Sequence, residues 1–139
     1  MIRGTGVDIA SISRIAAVLK RFPTRFAARI LHPREWQAWE ASSAEHASAF
    51  LAKRFAAKEA AAKALGTAIR SGVAMQDFIV SRGDRGRPLL ELTGRAREEA
   101  DRLGITHWHL SLSDELDTVV AFVVAETGNP AHLAEDATL

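Results

Sequence analysis

The pattern of hydrophobic and polar positions near the N-terminus changes its period after about ten residues. Val7 and Ile9 flank Asp8, an alternation that predicts a strand with the carboxylate on the face opposite its two neighbours. Ser11 then stands where the N-cap of a helix is expected. An apolar stripe with helical spacing follows it, formed by Ile12, Ile15, Ala16 and Leu19. The chain is therefore predicted to begin with a strand that runs directly into an amphipathic helix.

Three further helices are predicted before residue 67. Proline in a first helical turn favours a basic helix over 23–31 and a short helix that opens at Pro33. An alanine-rich helix over 47–65 comes next, and Gly66 is placed as its left-handed stop. This long helix is the clearest helical element in the sequence.

The second half of the chain contains most of the predicted strands. DFIVSR and PLLEL flank the turn residues 83–86 and predict a hairpin, and Thr93 is expected to cap a helix that ends before Gly104. THWHLSLSD alternates between an apolar and a polar side, whereas TVVAFVVAE is an apolar run consistent with a buried strand. The pattern predicts an α+β fold, an antiparallel sheet with helices packed on one face.

Composition narrows the class of protein. A chain of 139 residues without cysteine has room for one domain and excludes disulfides, a thiolate nucleophile and cysteine-type zinc sites. No apolar run has the length of a membrane span, and the first residues do not resemble a signal peptide. We therefore expect a soluble, cytoplasmic protein that does not bind membranes.

The net charge of +1 hides an uneven distribution. The first quarter of the chain contains only one acidic residue, Asp8. Its basic residues are Arg3, Arg14, Lys20, Arg21, Arg25, Arg29 and Arg34. This excess predicts an acidic partner for the N-terminal segment, either a protein or a nucleic acid. Solvated helix faces would explain the same charges.

The stretch RFAAKEAAAKALG permits two interpretations. As a polymer it is a stiff helical spacer in which Glu59 and Lys63, four residues apart, form a surface ion pair. As chemistry the same pair, at the edge of a buried face, would line a cleft and suit a metal-bound phosphate. Asp8 is the second candidate acid, because Mg²⁺ is commonly held by one or two carboxylates together with phosphate and water oxygens. Spacing alone fits both interpretations.

Other candidate chemistry is limited. His109 is predicted on the polar side of its strand, where a neutral imidazole would act as a base, contact a phosphate or simply face solvent. The GTG sequence lacks the third glycine of a dinucleotide-binding loop, and His107 with His109 lacks a third zinc ligand. No glycine elbow surrounds a serine, so a hydrolase triad is not supported.

Several motifs together resemble one known family. GTGVDI, SRI and RFAAKEAAAKALGTAI, with LHPREW, GRPLLEL and HLSLSDE in the same order and spacing, resemble the holo-acyl-carrier-protein synthases. These are the small, trimeric group of 4′-phosphopantetheinyl transferases. The resemblance covers residues 1–126 as a single domain and leaves 127–139 as a polar C-terminal tail.

The resemblance implies an activity and a set of site residues. It implies Mg²⁺-dependent transfer of 4′-phosphopantetheine from coenzyme A to a serine of apo acyl carrier protein, releasing 3′,5′-ADP, a step of fatty acid biosynthesis. Asp8 and Glu59 would bind Mg²⁺, Lys63 would contact the phosphate of the leaving group, and His109 would lie near coenzyme A. Arg54 and Gly66 of the second motif join Lys63 and His109 as residues that bind coenzyme A.

The resemblance also implies partners. Arg14, with Arg21 and Arg25, would receive the acidic helix of the carrier protein, and three chains would form a homotrimer with active sites between them. The proton of the attacking serine would go to a metal-bound hydroxide or to Glu59, and the sequence does not choose between them. The alternative hypothesis is a non-catalytic basic module that binds nucleic acid; the transferase interpretation expects no nucleic acid partner. A scaffold that kept the fold and lost activity is a third possibility.

Overall fold

The computed structural model describes residues 1–70 and 72–128. In chain order the elements are β1 (Ile2–Ser11), α1 (Ile12–Arg21), α2 (Pro23–Ile30), α3 (Pro33–Ala41), α4 (Ala44–Leu65), β2 (Phe78–Arg82), β3 (Pro88–Leu92), α5 (Gly94–Arg102), β4 (Ile105–Glu115) and β5 (Thr118–Thr127). Short 3₁₀ turns precede β2 and connect it to β3. Residues 129–139, most of the predicted tail, lie outside the described part of the chain.

The strands form two antiparallel sheets. The larger sheet has the order β1-β5-β4, so the first strand of the chain pairs with the last. The smaller sheet is the β2–β3 hairpin that the turn residues predicted. Helix α4 packs across β1 and β5, and its alanines fill the core between helix and sheet. The expected α+β fold with helices on one face of an antiparallel sheet is confirmed.

The helix boundaries follow the predicted caps with two differences. The Ser11 hydroxyl accepts a hydrogen bond from the Arg14 backbone N–H, and Gly66 ends α4 with φ 86°. Helix α4 begins three residues before the predicted Ala47. Thr93 precedes α5 but its hydroxyl donates to the Asp77 carbonyl instead of capping the helix.

Within residues 1–70 and 72–128, the large sheet is covered on one side only. Val119, Ala121, Val123 and Ala125 of β5 face α4 and are buried, whereas Phe122, on the other face, is 45% exposed. The buried strand expected for TVVAFVVAE is thus buried on one face only, because the helices pack against a single side of the sheet. In the described residues, no helix combines the length and the apolar character needed to cross a bilayer.

Candidate active site

The backbone of helix α4 lies directly against the backbone of β1, with no side chain between them at two glycines. A Cβ atom built on Gly6 would lie 1.9 Å from the Ala60 carbonyl oxygen, and one built on Gly4 would lie 2.1 Å from that of Ala64. The two glycines thus have a packing role. Asp8 is the next residue on the same face of β1, so the close approach carries its carboxylate to the side of α4.

Asp8, Glu59 and Lys63 come together at this contact. Lys63 Nζ lies 3.0 Å from Asp8 Oδ1 and donates a second hydrogen bond, also 3.0 Å, to the Val7 carbonyl oxygen. The Asp8 side chain is 16% exposed, and that of Lys63 is 49% exposed. A partly buried carboxylate is therefore joined to an ammonium group that still reaches solvent.

The pKa of Glu59 reports on its surroundings. Burial raises the pKa of this carboxyl, the negative charge of Asp8 raises it further, and the Lys63 ammonium opposes both effects. Two carboxylates are thus close enough to repel one another, and a divalent cation between them would remove that repulsion. The described residues contain no cluster of three or more potential metal ligands, so the pair would leave the other coordination positions to phosphate and water, as Mg²⁺ prefers.

His109 does not join this cluster within one chain. It pairs with Val124 on the open face of the sheet, whereas Asp8 pairs with Ala121 and points to the covered face. Its Nε2 lies 3.2 Å from Glu126 Oε1, and this contact is the largest effect that lowers the pKa of Glu126. The predicted polar side of the strand is correct, but the histidine and the acidic pair lie on opposite faces.

Arg54 also lies away from the acidic pair. Residues 54 and 59 are about 140° apart around α4, so their side chains leave the helix in different directions. Arg54 lines a cavity of about 500 Å³ whose other basic residues are Arg34, His46, Lys53 and Arg82. We call this space the basic cavity. Gly66, in contrast, follows α4 directly and lies only three residues beyond Lys63.

The basic cavity was not predicted from the sequence as a unit. Its walls come from α3, α4, the β2–β3 hairpin and β4, and the apolar part of the lining includes Phe50, Val80, Pro88 and Leu112. Of its residues, the resemblance implies a role in binding coenzyme A only for Arg54, and Arg34 was predicted only as part of the basic N-terminal segment. Scattered arginines and lysines give no signal of convergence until the fold brings their elements together.

One of the arginines predicted to meet a partner, Arg25, lines a second depression, between α1 and α2. Arg14, Arg21 and Arg25 are all exposed. Arg25 lines a groove of about 370 Å³, which we call the α1–α2 groove; its other lining residues are Val18, Phe22, Phe26 and Arg29. The apolar floor was missed in the sequence, although Val18, Phe22 and Phe26 recur every four residues.

A family model matches most of the chain. Residues 4–123 match the model of the 4′-phosphopantetheinyl transferase superfamily. The chain belongs to this superfamily. The resemblance inferred from the motifs is confirmed, and with it the expectation of a phosphopantetheinyl transferase enzyme.

Relatives within the family are similar over almost their whole length. The holo-[acyl-carrier-protein] synthase of Vibrio vulnificus is 50% identical over 124 residues, which are 89% of this chain and 97% of that protein. The crystal structure of the Neisseria meningitidis synthase is 44% identical, with a TM-score of 0.83, and aligns with 91% of this chain and 100% of its own. The Helicobacter pylori synthase in complex with coenzyme A is 32% identical, with a TM-score of 0.75, over 88% of this chain and 99% of its own.

Proposed function

We propose that this protein transfers 4′-phosphopantetheine from coenzyme A to a serine of apo acyl carrier protein, with Mg²⁺, giving holo carrier protein and 3′,5′-ADP. The observation that carries the proposal is the convergence of Asp8, Glu59 and Lys63 between β1 and α4. The synthases that resemble the chain support the substrate, since one of them is described in complex with coenzyme A.

The three residues suit an attack on a pyrophosphate. Asp8 and Glu59 would hold Mg²⁺, which would neutralise charge on the phosphates when bound. The half-exposed Lys63 ammonium reaches solvent beside Asp8, where it would donate hydrogen bonds to a phosphate oxygen of the leaving group. The raised pKa of Glu59 belongs to the metal-free protein, and a bound Mg²⁺ would lower this pKa again by offsetting the negative charge of Asp8.

A homotrimer with active sites between chains accounts for the residues left outside the cluster. His109 lies on the open sheet face together with the exposed apolar side chains of Val7, Ile9 and Phe122, which are 53%, 68% and 45% exposed. If these faces cover one another, a neighbouring chain would supply His109 to the acidic pair, whereas Arg54 lines the basic cavity and is not on this face. Phe122→Glu is expected to yield monomers in sedimentation analysis; a wild-type protein that sediments as a monomer would contradict the assembly.

The α1–α2 groove suits the carrier protein. Arg14, Arg21 and Arg25 would attract an acidic helix, and the apolar floor between Val18 and Phe26 would receive its apolar side chains. Charge at the rim of such an interface acts mainly on the rate of association, so the KM for the carrier is expected to rise with salt.

The test is modification of the carrier. The protein is incubated with apo acyl carrier protein, coenzyme A and Mg²⁺, and the carrier is weighed by mass spectrometry. We expect the mass of one phosphopantetheine to be added by the wild type, and no addition by Glu59→Gln when both melt cooperatively. An unmodified carrier beside a folded wild-type protein would overturn the proposal, and turnover by Glu59→Gln would remove the metal role of that residue.

A further inference from the structure

A buried ion cluster lies behind the basic cavity, and the proposed reaction does not use it. Lys58 is fully buried, and Glu35 is 2% exposed. The Lys58 ammonium donates to a Glu35 carboxylate oxygen and to the Ile30 carbonyl at the end of α2. Burial lowers the pKa of Lys58 to about 8, although Glu35 opposes this change. The first lysine of the AAKEAAAK stretch is therefore part of the core, unlike its neighbour Glu59.

The two oxygens of Glu35 have different partners. Oε1 accepts from Lys58 and, at 2.9 Å, from the His32 backbone N–H at the start of α3. Oε2 accepts from the Val80 backbone N–H at 3.2 Å and lies 2.9 Å from Arg54 Nε. One oxygen thus joins α3 to the interior of α4, and the other faces the wall of the basic cavity.

Arg54 is held from two sides. Its guanidinium carbon lies 4.3 Å above the ring of Phe50, and its Nε lies beside Glu35, leaving the side chain 12% exposed. The Nε–H does not point at the Glu35 oxygen with hydrogen-bond geometry, so the contact acts through charge. A guanidinium in this position has few alternative rotamers, and the rest of its fork is available to the cavity that it lines.

The charges of the cluster do not balance. One carboxylate, Glu35, faces two cations, Lys58 and Arg54, and Arg82 adds further positive charge beside Arg54. Burial lowers the pKa of Arg54 and Glu35 opposes this effect, as expected for a cation that is only partly compensated. An anionic group bound in the cavity would complete the compensation.

We propose that Glu35 is a positioning residue that holds the Arg54 guanidinium at the wall of the basic cavity, ready for an anionic part of coenzyme A. The inference rests on the proposed function, since it assigns the cavity to that substrate. The Oε2 atom of Glu35 sets where Arg54 lies, and the Oε1 atom neutralises Lys58.

Two variants separate these sides of Glu35. Lys58→Met removes the buried ammonium and leaves the contact between Glu35 and Arg54. The double variant Glu35→Gln with Lys58→Met removes both buried charges together, so Arg54 is the one cation that loses its partner. The Ile30 carbonyl and one of the two backbone N–H groups bound to Glu35 also lose a hydrogen bond, which is expected to lower the melting temperature. Thermal melts check that each variant folds.

The main measurement is the affinity for 3′,5′-ADP by titration calorimetry, which needs no turnover. We expect the affinity of Lys58→Met for 3′,5′-ADP to lie within about twofold of the wild-type affinity, and that of the double variant to be about tenfold weaker. In an Arg54→Ala background, adding Glu35→Gln together with Lys58→Met should weaken the affinity for 3′,5′-ADP no further, because Glu35 acts through Arg54. In steady state the double variant should raise the KM for coenzyme A and leave kcat and the KM for the carrier unchanged.

The outcomes distinguish this inference from the proposed function. A folded wild type that binds no 3′,5′-ADP would overturn both. Binding by wild type with equal binding by the double variant, or losses that add in the Arg54→Ala background, would overturn the role of Glu35 alone. Arg54→Lys keeps the charge and the Glu35–Lys58 pair but removes the planar fork, so it remains informative if the double variant unfolds; wild-type affinity in Arg54→Lys would also overturn the proposal.

Discussion

Replacing Gly6 by alanine tests whether the backbone contact between β1 and α4 builds the active site. The new Cβ atom would lie 1.9 Å from the Ala60 carbonyl oxygen, whereas ordinary contact begins at 3.4 Å. Strand and helix must therefore separate by about 1.5 Å, because the opposing atom is backbone and has no rotamer to change. Gly6 does not have a positive φ, so backbone strain does not contribute to the effect.

The expected cost follows from that displacement. Overpacking of a rigid core contact costs about 3 kcal/mol, which for a chain of this length lowers the melting temperature by about 10 °C. The same movement displaces Asp8 from Glu59 and Lys63, whose Nζ now lies 3.0 Å from Asp8 Oδ1, and so disturbs the geometry of the cluster. We therefore expect a loss of carrier modification that persists at temperatures where the variant is fully folded.

Gly104→Ala is the matched control. Gly104 has φ 73° and its Cβ would meet only the Thr127 methyl group at 3.9 Å, so the substitution introduces backbone strain without a clash. Its cost should be about 1–2 kcal/mol, with an unchanged rate of carrier modification. Circular-dichroism melts and the mass-spectrometric assay compare the two variants. A Gly6→Ala protein that melts like Gly104→Ala and modifies the carrier at the wild-type rate would refute the reasoning.

Three further outcomes are expected. Because the native pKa of Glu59 is raised, ionisation of this carboxyl opposes folding once the pH rises above the pKa of the unfolded state. Metal-free Glu59→Gln should therefore melt no lower than wild type at pH 7, and Mg²⁺ should stabilise the wild type alone. A lower melting temperature of the metal-free variant would contradict this. Hydrogen bonds from Ser13 and Ser11 lower the native pKa of Asp117, so their stabilisation is present above the unfolded pKa and is lost as the pH falls through the native pKa. In thermal melts from pH 7 downward, the melting temperature of Asp117→Asn should therefore fall less with acid than that of the wild type. Identical dependence of the melting temperature on pH would reject this linkage. In steady-state assays, Arg25→Glu should raise the KM for the carrier, weaken the salt dependence of this KM and leave kcat unchanged. An unaltered KM would exclude the α1–α2 groove as the docking surface.

Local patterns in the sequence were sufficient for most elements and for the faces on which Asp8, Glu59 and Lys63 lie, whereas the pairing of Asp8 with Glu59 was implied only by the family resemblance. Alternation around Asp8 separated it from Val7 and Ile9, and the spacing of four between Glu59 and Lys63 placed both on one side of a helix. Both inferences hold because the period of a strand or helix decides which side chains share a face. The same periodicity predicted the polar side of β4 for His109, and the structure agrees.

Long-range packing decided the rest. GTG looked like a failed nucleotide-binding loop, and only the position of α4 shows that its glycines allow a helix to lie against a strand. Glu35 and Lys58 had no visible role in the sequence, yet they form the buried ion pair behind the basic cavity. His109 and Asp8 are on opposite faces of one sheet, which no local pattern relates. The period of the sequence determines which side chains share a face of each helix or strand. The distance between two elements depends instead on which of their surfaces pack together and exclude water, and this packing exists only in the folded chain.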